Sequence, residues 1–281
     1  MFSILSEREI ASMLVDRYGR RITYLRISVT DRCNYRCTYC MPETGIELMP
    51  HSCMLRYEEI AKVAQIAGTL GITKIRFTGG EPLVKKGIEN LVRLVADSWH
   101  FEDLCMTTNG SLLTRELAHS LRDAGLNRVN ISLDTLDPSR FASITRGGNL
   151  NDVVAGIEAA RNAGLSPIKI NMVVLDNTTD DEIQRMRSFC ERQGLVFQTI
   201  ARFSLENRER RQTMKTHRPP DCSACNRLRL TADGYLKPCL FSDNEVKVDF
   251  LDIEGSIKAA VAAKPLCGIR CRARSMSQIG G

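Results

Sequence analysis

A repeated strand–helix rhythm from about residue 22 to about residue 200 is the feature that most limits how this chain can fold. Six short apolar runs are predicted to be strands, at 24–29, 74–78, 104–108, 128–133, 168–175 and 196–200. Apolar residues at helical spacing lie between them, as at Ile60, Val63, Ala64 and Ala67. Six strands alternating with five helices predict an α/β fold with a parallel sheet covered by helices.

Four predicted helices share the same ending, a glycine followed by an apolar residue. These pairs are Gly71-Ile72, Gly125-Leu126, Gly164-Leu165 and Gly194-Leu195. Glycine readily adopts the left-handed conformation that ends a helix, and the following apolar residue packs back against that helix. Each pair is therefore predicted to close a helix just before the next strand begins.

Polar motifs follow four consecutive strands, which indicates the kind of sheet. Cysteines follow the first strand, GGEP (79–82) the second, TTNG (107–110) the third and LDTLD (133–137) the fourth. Functional loops at the carboxyl ends of many strands are typical of a barrel, whereas an open sheet concentrates them at one switch point. We predict a partial (β/α)6 TIM-type barrel over residues 1–201. Residues 202–281 form a small C-terminal region that a cluster or docking must stabilise.

The chain has eleven cysteines, grouped at 33, 37 and 40, at 222, 225 and 239, and at 267 and 271. An odd number without a secretion signal argues against a disulfide framework and for reduced metal-binding thiolates. No run is apolar enough to span a membrane, so we expect a soluble cytoplasmic protein. The net charge of +6 suits a small anionic ligand and is too weak to indicate nucleic acid.

The first cysteine group has the spacing C-x3-C-x2-C, formed by Cys33, Cys37 and Cys40. Three thiolates on one loop can hold three irons of a [4Fe–4S] cluster and leave the fourth iron open. A closed zinc site would need a fourth ligand, and His51 and Cys53 are near but lack a recognisable spacing. An open metal position is how such a site binds a substrate or cofactor.

This motif, with an aromatic residue before its last cysteine, resembles the radical S-adenosylmethionine superfamily. The resemblance implies that the open iron chelates S-adenosylmethionine, which one electron cleaves to a 5′-deoxyadenosyl radical that abstracts hydrogen from substrate. GGEP is similar to the family's second motif. The resemblance assigns Cys33, Cys37 and Cys40 to the catalytic cluster. It assigns cofactor binding to Tyr39, Gly79, Gly80, Glu81 and Ser132.

The second cysteine group is Cys222-x2-Cys225-x13-Cys239, within CNRLRLTADGYLKPCLF, and the chain closes on SMSQIGG. With most of the chain, these stretches resemble the GTP 3′,8-cyclase family (molybdenum cofactor biosynthesis protein A), whose double-glycine end is needed for activity. That family implies a radical lyase with two [4Fe–4S] clusters, the second holding the purine of GTP or a related nucleotide. It also implies a flavodoxin- or ferredoxin-type reductant, and a homodimer is left open.

The implied GTP ligands are Arg26, Arg76, Thr107, Lys169, Arg227 and Arg229. Arginines suit phosphate oxygens, and Arg227 and Arg229 would point the same way in an extended segment.

Two departures from that family leave alternatives open. The family has a longer stretch before the second cysteine group, whereas here only 202–221 remain. Arg202 is the candidate for an arginine of that stretch. Cys267 or Cys271 could be a fourth ligand of the second cluster, or both could be thiols without a functional role.

Two other functions remain as alternatives. One is a divergent radical enzyme with an auxiliary cluster that acts on a peptide or another nucleotide. The other is a non-catalytic electron carrier, which would need no S-adenosylmethionine pocket. The basic DRYGRR segment, including Arg20 and Arg21, is expected to be a surface arm.

Overall fold

The structure is a computed structural model that describes residues 13–205 and 221–280. Its first six strands are β1 (Tyr24–Ser28), β2 (Lys74–Thr78), β3 (Asp103–Thr108), β4 (Arg128–Ser132), β5 (Lys169–Val174) and β6 (Val196–Ala201). The helices between them are α1 (Tyr57–Thr69), α2 (Ile88–Ser98), α3 (Arg115–Asp123), α4 (Pro138–Thr145), α5 (Leu150–Asn162) and α6 (Asp180–Arg192). The later elements are β7 (Arg227–Leu230), β8 (Tyr235–Lys237), β9 (Val246–Lys247), α7 (Ile253–Ala262) and the short α8 (Met276–Ile279).

The connection from β4 to β5 contains two helices where the sequence predicted one. Asp137 accepts a hydrogen bond from the Arg140 N–H and begins α4, while Pro138 fits its first turn. Arg146 then takes a left-handed conformation and ends this helix, and Asn149 caps the start of α5. Stretch 24–201 therefore has six helices rather than five.

Strand order confirms the partial barrel. In the described residues one sheet has the order β6-β5-β4-β3-β2-β1-β7-β8-β9, and β1 to β6 are all parallel. Each of these six strands lies beside its predecessor, so the winding never reverses and no switch point exists among them. Strand β7 pairs in parallel with β1, and β8 and β9 continue antiparallel. The sheet thus runs on into the C-terminal region, and the division at residue 201 stays a prediction.

The four glycine helix ends are confirmed. Gly71, Gly125, Gly164 and Gly194 all have positive φ. In each case the N–H after the glycine donates to a carbonyl in the last helical turn, as from Ile72 to Ala67 over 3.0 Å. This pattern satisfies carbonyls that a helix end otherwise leaves open.

The pleat of the central strands separates an apolar face from a polar one. Leu25 and Ile27 of β1 are fully buried in the main hydrophobic core, on the side that the helices cover. Arg26 lies between them and points to the opposite face, which is the concave inside of the barrel. The core therefore fixes the sheet while its other face is free to carry polar side chains. None of the helices within the described ranges has the length and apolar character needed to cross a membrane.

Candidate active site

The loop after β1 places the first three cysteines at one cavity. Cys33, Cys37 and Cys40 are each half-buried and all line this space, here called the cysteine cavity. Backbone N–H groups in the middle of the loop donate to the carbonyl oxygens of Thr145 and Ile144, over 3.2 and 2.9 Å. The end of α4 therefore fixes the position of the thiols.

Arg146 holds the same loop through its side chain. Its guanidinium donates to the carbonyl oxygens of Arg36 and Met41, over 2.8 and 2.9 Å, on either side of Cys37 and Cys40. Its φ of 55° is uncommon for a residue with a side chain, so surrounding contacts must hold it there. The sequence carried no signal for this clamp.

The three thiols lie in surroundings that disfavour a bare thiolate. Burial raises the pKa of Cys33 to about 11 and that of Cys40 to about 12, and it raises the pKa of Cys37 further still. A bound metal centre supplies the positive charge that favours thiolates. In the part of the chain that the structure describes, no three His, Cys, Asp or Glu side chains converge on a single metal position. A [4Fe–4S] cluster contacts its thiolates through different irons, so it does not need the three sulfurs to meet at one point.

The GGEP loop lies directly against the cysteine loop. The N–H groups of Gly80 and Glu81 donate to the carbonyl oxygens of Thr30 and Arg32, each over 2.8 Å. A methyl group on Gly80 would lie 2.3 Å from the Arg32 oxygen, and one on Gly79 would lie 2.5 Å from the Thr30 oxygen. Glycine is thus required here for contact between the two loops, as well as for any approach to a ligand.

Glu81 joins the second loop to the third. Its carboxylate accepts hydrogen bonds from the Leu83 N–H at 2.9 Å, the Thr108 hydroxyl at 2.7 Å and the Asn109 N–H at 2.6 Å. The side chain is almost completely buried, and that burial raises its pKa to about 7. These contacts give Glu81 a structural task, and its predicted role in cofactor binding stays a prediction.

Asp134 connects the cysteine loop to β5. It accepts a hydrogen bond from the Tyr39 hydroxyl at 2.8 Å and another from the Val173 N–H at 2.8 Å. Burial raises the pKa of Asp134 to about 6. The aromatic residue of the motif is therefore fixed by a buried carboxylate in the loop after β4, a contact that its sequence spacing did not reveal.

All the residues predicted to bind S-adenosylmethionine meet at the cysteine cavity. They are Tyr39, Gly79, Gly80, Glu81 and Ser132, and they line it together with the three cysteines. Arg202, Phe203 and Met276 line it too, although sequence motifs identified none of them as cofactor ligands. The structure thus gathers the whole predicted set, and its roles in binding stay predictions.

A second space, here called the arginine cavity, adjoins the first. Five of the six predicted GTP ligands line it, namely Arg26, Arg76, Thr107, Arg227 and Arg229. Thr107, Asn171, Ile200 and Phe203 line both cavities, so the two share a wall. Lys169 is outside this lining set, but it pairs in register with Asn130, which lines the arginine cavity.

Strand register explains why the arginines meet. Arg26 of β1 lies opposite Arg76 of β2 on one side and Arg229 of β7 on the other. Residues directly opposite each other on neighbouring strands share a face of the sheet, so the three form a row. Arg227 also lies on β7 and lines the cavity, which confirms that it and Arg229 point the same way.

This row concentrates positive charge in a buried place. Burial lowers the pKa of Arg26 to about 10, and repulsion from Arg76 and Arg227 contributes to that decrease. Burial, with repulsion from Arg26 and Arg227, lowers the pKa of Arg229 as well. A bound anion would relieve this repulsion, and guanidinium groups match phosphate oxygens in geometry.

The end of the chain reaches the same arginines. Arg26 donates to the Gly280 carbonyl over 2.9 Å, and Arg229 donates to it over 2.7 Å. Gly280 has a φ of 62°, and a methyl group on it would lie 2.4 Å from the Thr78 side chain. The first glycine of the expected double-glycine end thus belongs to the site, while Gly281 lies outside the described residues.

The second cysteine group lies beside the arginine cavity. Cys222 opens a short 3-10 turn, and the N–H of Cys225 donates back to the Cys222 carbonyl over 3.1 Å. Cys239 follows β8, and all three cysteines are half-buried. Arg227 and Leu240, their close neighbours in sequence, line the arginine cavity. A cluster held by this group would therefore border the same space.

The expectation of an exposed basic arm is wrong for Arg20. Its side chain is only 7% exposed and forms a 2.6 Å ion pair with Asp16, which is completely buried. The guanidinium also donates to the carbonyl oxygens of Cys222, Pro265 and Leu266, over 2.8, 2.6 and 2.9 Å. Arg20 therefore fastens the N-terminal turn to the second cysteine group. Arg21 is exposed as expected.

The last two cysteines occupy different surroundings. Cys271 is 1% exposed and packs in a small apolar cluster with Leu205, Phe241 and Ile279. Cys267 is exposed, but its neighbour Gly268 packs closely against Cys239 of the second group. A methyl group on Gly268 would lie 2.5 Å from the Cys239 sulfur. Whether either thiol closes the second cluster stays an open prediction. Most of the shortened segment, 206–220, lies outside the described residues.

Comparison with protein families gives two matches. The model of the Radical SAM superfamily matches residues 27–190, and the model named Molybdenum Cofactor Synthesis C matches residues 171–264. Solved structures that resemble this one include SuiB of Streptococcus suis bound to S-adenosylmethionine. It has a TM-score of 0.68 and 13% identity, over 95% of this chain and 71% of that one. Native anSMEcpe with bound AdoMet has a TM-score of 0.61 and 15% identity, over 84% of this chain and 81% of that one. Identities this low show the shared fold alone.

Curated relatives are much closer in sequence. The GTP 3′,8-cyclase of Thermodesulfovibrio yellowstonii is 40% identical over 94% of this chain and 95% of the relative. That of Moorella thermoacetica is 40% identical over 95% of this chain and 99% of the relative. The first alignment runs over 308 positions, more than the 281 residues of the chain, so the relative has residues that this chain lacks.

These matches agree with the motifs and with the fold. The superfamily match begins within β1 and includes the cysteine loop, GGEP and the strands that surround the cysteine cavity. Members of this superfamily are enzymes that use S-adenosylmethionine and an iron–sulfur cluster. The chain belongs to the radical S-adenosylmethionine superfamily and, within it, to the family of the GTP 3′,8-cyclases.

Proposed function

We propose that this enzyme converts GTP to 3′,8-cyclo-7,8-dihydro-GTP, a step of molybdenum cofactor biosynthesis. The observation that carries the proposal is the shared wall between the cysteine cavity and the arginine cavity. A radical made in the first space has to reach a substrate without meeting solvent, and an anionic substrate in the second space would lie next to it. The 40% identity with cyclases along nearly the whole chain supports the same reaction.

In this proposal the first cysteine group holds the cluster that cleaves S-adenosylmethionine. When bound, this cluster would supply the electron that cleaves S-adenosylmethionine and so would start the radical cyclisation of the nucleotide. The chain's own contribution is position. The Arg146 clamp and the GGEP contact fix the cysteine loop, and Asp134 fixes the Tyr39 ring beside the thiols. Small displacements of reacting groups are costly in rate, so this rigidity is part of the activity.

The arginine row is proposed to hold the triphosphate. Arg26, Arg76 and Arg229 stand side by side on neighbouring strands, and each is at least nine-tenths buried. Cys222, Cys225 and Cys239 are proposed to hold a second [4Fe–4S] cluster that contacts the purine. The flavodoxin- or ferredoxin-type reductant, the homodimer and a cytoplasmic location remain predictions.

One observation favours a second candidate, a divergent radical enzyme acting on another nucleotide or on a peptide. The alignment with the T. yellowstonii cyclase is longer than this chain, so residues present in that relative are missing here. If the missing residues contact the base, the substrate could differ while the radical chemistry stays the same. The buried arginine row still favours an anion such as a nucleotide over a peptide.

Anaerobic incubation of the reconstituted protein with S-adenosylmethionine, dithionite and GTP tests the proposal. We expect both 5′-deoxyadenosine and the cyclised nucleotide. Release of 5′-deoxyadenosine without cyclised nucleotide would favour the second candidate, and no release would reject both enzymes in favour of an electron carrier. Replacing Cys33, Cys37 and Cys40 together by Ala should abolish release. The matched control Cys53→Ala removes an exposed cysteine and should leave release unchanged.

The arginine row has its own test. Arg229→Gln should weaken GTP binding at least tenfold, because a buried cation facing the anion is lost. Arg185→Gln is the matched control, since that arginine is exposed on α6 and pairs with Asp181 one turn away. Equal GTP affinity in both variants, measured by equilibrium dialysis, would remove Arg229 from the binding site.

A further inference from the structure

Lys264 is a buried cation between the two segments that carry the second cysteine group. It follows the end of α7 and is 1% exposed. Its ammonium donates to the Arg227 carbonyl over 2.7 Å and to the Pro238 carbonyl over 2.6 Å. The first carbonyl lies two residues after Cys225 and the second immediately before Cys239. One side chain therefore ties both cysteine-bearing segments together.

The same ammonium places a positive charge beside the cysteines. An ammonium has three donors, and two of them are used by the Arg227 and Pro238 carbonyls. Those carbonyls belong to the segments of Cys225 and Cys239, so the buried charge lies next to the second cysteine group.

A buried ammonium needs a negative partner. Removing a charge from water is costly unless an opposite charge and hydrogen bonds compensate for it. Cys225 and Cys239 attract Lys264 when they are thiolates, and Arg20 repels it. This charge arrangement is compensated when the cysteines are thiolates, as they are in an iron–sulfur cluster.

We propose that Lys264 is a positioning residue for the second cluster, which it holds through both cysteine-bearing segments and whose reduction potential it raises through its charge beside Cys225. This inference rests on the second cluster of the proposed function. Reduction adds one electron to the cluster and makes it more negative, so a nearby cation stabilises the reduced form more than the oxidised form. Hydrogen bonds to sulfur and net charge are known to set the potentials of such clusters.

The test uses the full chain with Cys33, Cys37 and Cys40 all replaced by Ala, so that only the second group can hold iron. In this background, Lys264→Met removes the charge and Lys264→Arg keeps it. Lys258→Met is the matched control, because Lys258 is an exposed residue of α7 that pairs with Glu254. Iron per chain and the midpoint potential are measured, the latter by a dithionite titration followed by electron paramagnetic resonance.

We expect Lys264→Met to retain less iron than the control and to have a more negative midpoint, with Lys264→Arg closer to the parent in both. Equal iron and equal midpoints in Lys264→Met and Lys258→Met would overturn the proposal. If Lys264→Met loses its iron completely, retention in Lys264→Arg supports the role of charge, and equal loss in both variants rejects it. A parent that binds no iron at all would reject the second cluster itself, which is a separate failure of the proposed function.

Discussion

Arg20→Ala is the change whose cost the structure defines best. It leaves the Asp16 carboxylate, which is completely buried in the wild-type structure, without its cation and with only the backbone N–H donors of Tyr18 and Arg20. Removing one partner of a buried ion pair costs about 3–5 kcal/mol. The carbonyls of Cys222, Pro265 and Leu266 also lose a donor, but they lie nearer the surface, where water can replace it. We therefore expect the ion pair to account for most of the loss, about 3–5 kcal/mol.

Urea unfolding of the iron-free protein, followed by far-ultraviolet circular dichroism, measures this free energy. Arg21→Ala is the matched control, since that neighbouring arginine is exposed, and it should change stability by no more than about 0.5 kcal/mol. Iron at the second cysteine group should fall in Arg20→Ala, because Cys222 loses its anchor. A free energy of unfolding equal to that of Arg21→Ala would refute the reasoning.

The same pair predicts a dependence on pH. Burial alone would raise the pKa of Asp16, but hydrogen bonds from the Arg20 and Tyr18 backbone and from the Arg20 side chain lower it below its ordinary value. A carboxyl with a lowered pKa stabilises the fold at pH values above its unfolded pKa, and this contribution is lost as the pH falls through the folded pKa. The stability difference between the wild type and Arg20→Ala should therefore shrink in acid.

Three further changes test the site. Gly80→Ala places a methyl group 2.3 Å from the Arg32 carbonyl oxygen, so the GGEP loop and the cysteine loop must separate. Release of 5′-deoxyadenosine should then fall about a hundredfold, and unchanged release would show that the contact between these loops is unimportant. Glu81, whose pKa burial raises to about 7, binds its proton more tightly when folded. Its ionisation therefore lowers the free energy of unfolding as the pH rises from about 4.5 through 7, by up to about 3 kcal/mol. In Glu81→Gln this decrease should be smaller when the free energy is measured by urea unfolding between pH 5 and pH 8. Cys271→Ala should lower the free energy of unfolding by about 1 kcal/mol, because the thiol packs in an apolar cluster. The variant should bind as much iron per chain as the wild type, and a loss of iron would show that Cys271 is a cluster ligand.

The strands were predictable because their signals are local. Each apolar run became a strand within a residue or two of its expected bounds, and each glycine pair closed a helix. The split between α4 and α5 was missed although its signals are local, namely the Asp137 cap, the left-handed Arg146 and the Gly147-Gly148 pair that follows it.

The site was predictable in part, through resemblance more than through pattern. The cysteine spacing and GGEP pointed to the first cavity directly. The meeting of Arg26 with Arg229 depends on the pairing of β1 with β7, which no local pattern indicates. Arg20 and Lys264 were missed for the same reason, because each donates to carbonyls of distant segments, and a long cation in a sequence ordinarily indicates a solvated surface.

The pairing of β1 with β7 has a consequence for synthesis on the ribosome. About two hundred residues separate these strands, so β1 emerges long before its second neighbour exists. Until residues 227–230 are translated, one edge of β1 keeps unpaired backbone groups, and exposed edges of this kind recruit other chains. Nascent chains that stop short of β7 should therefore need chaperone protection, even though all six parallel strands β1 to β6 have been translated by then.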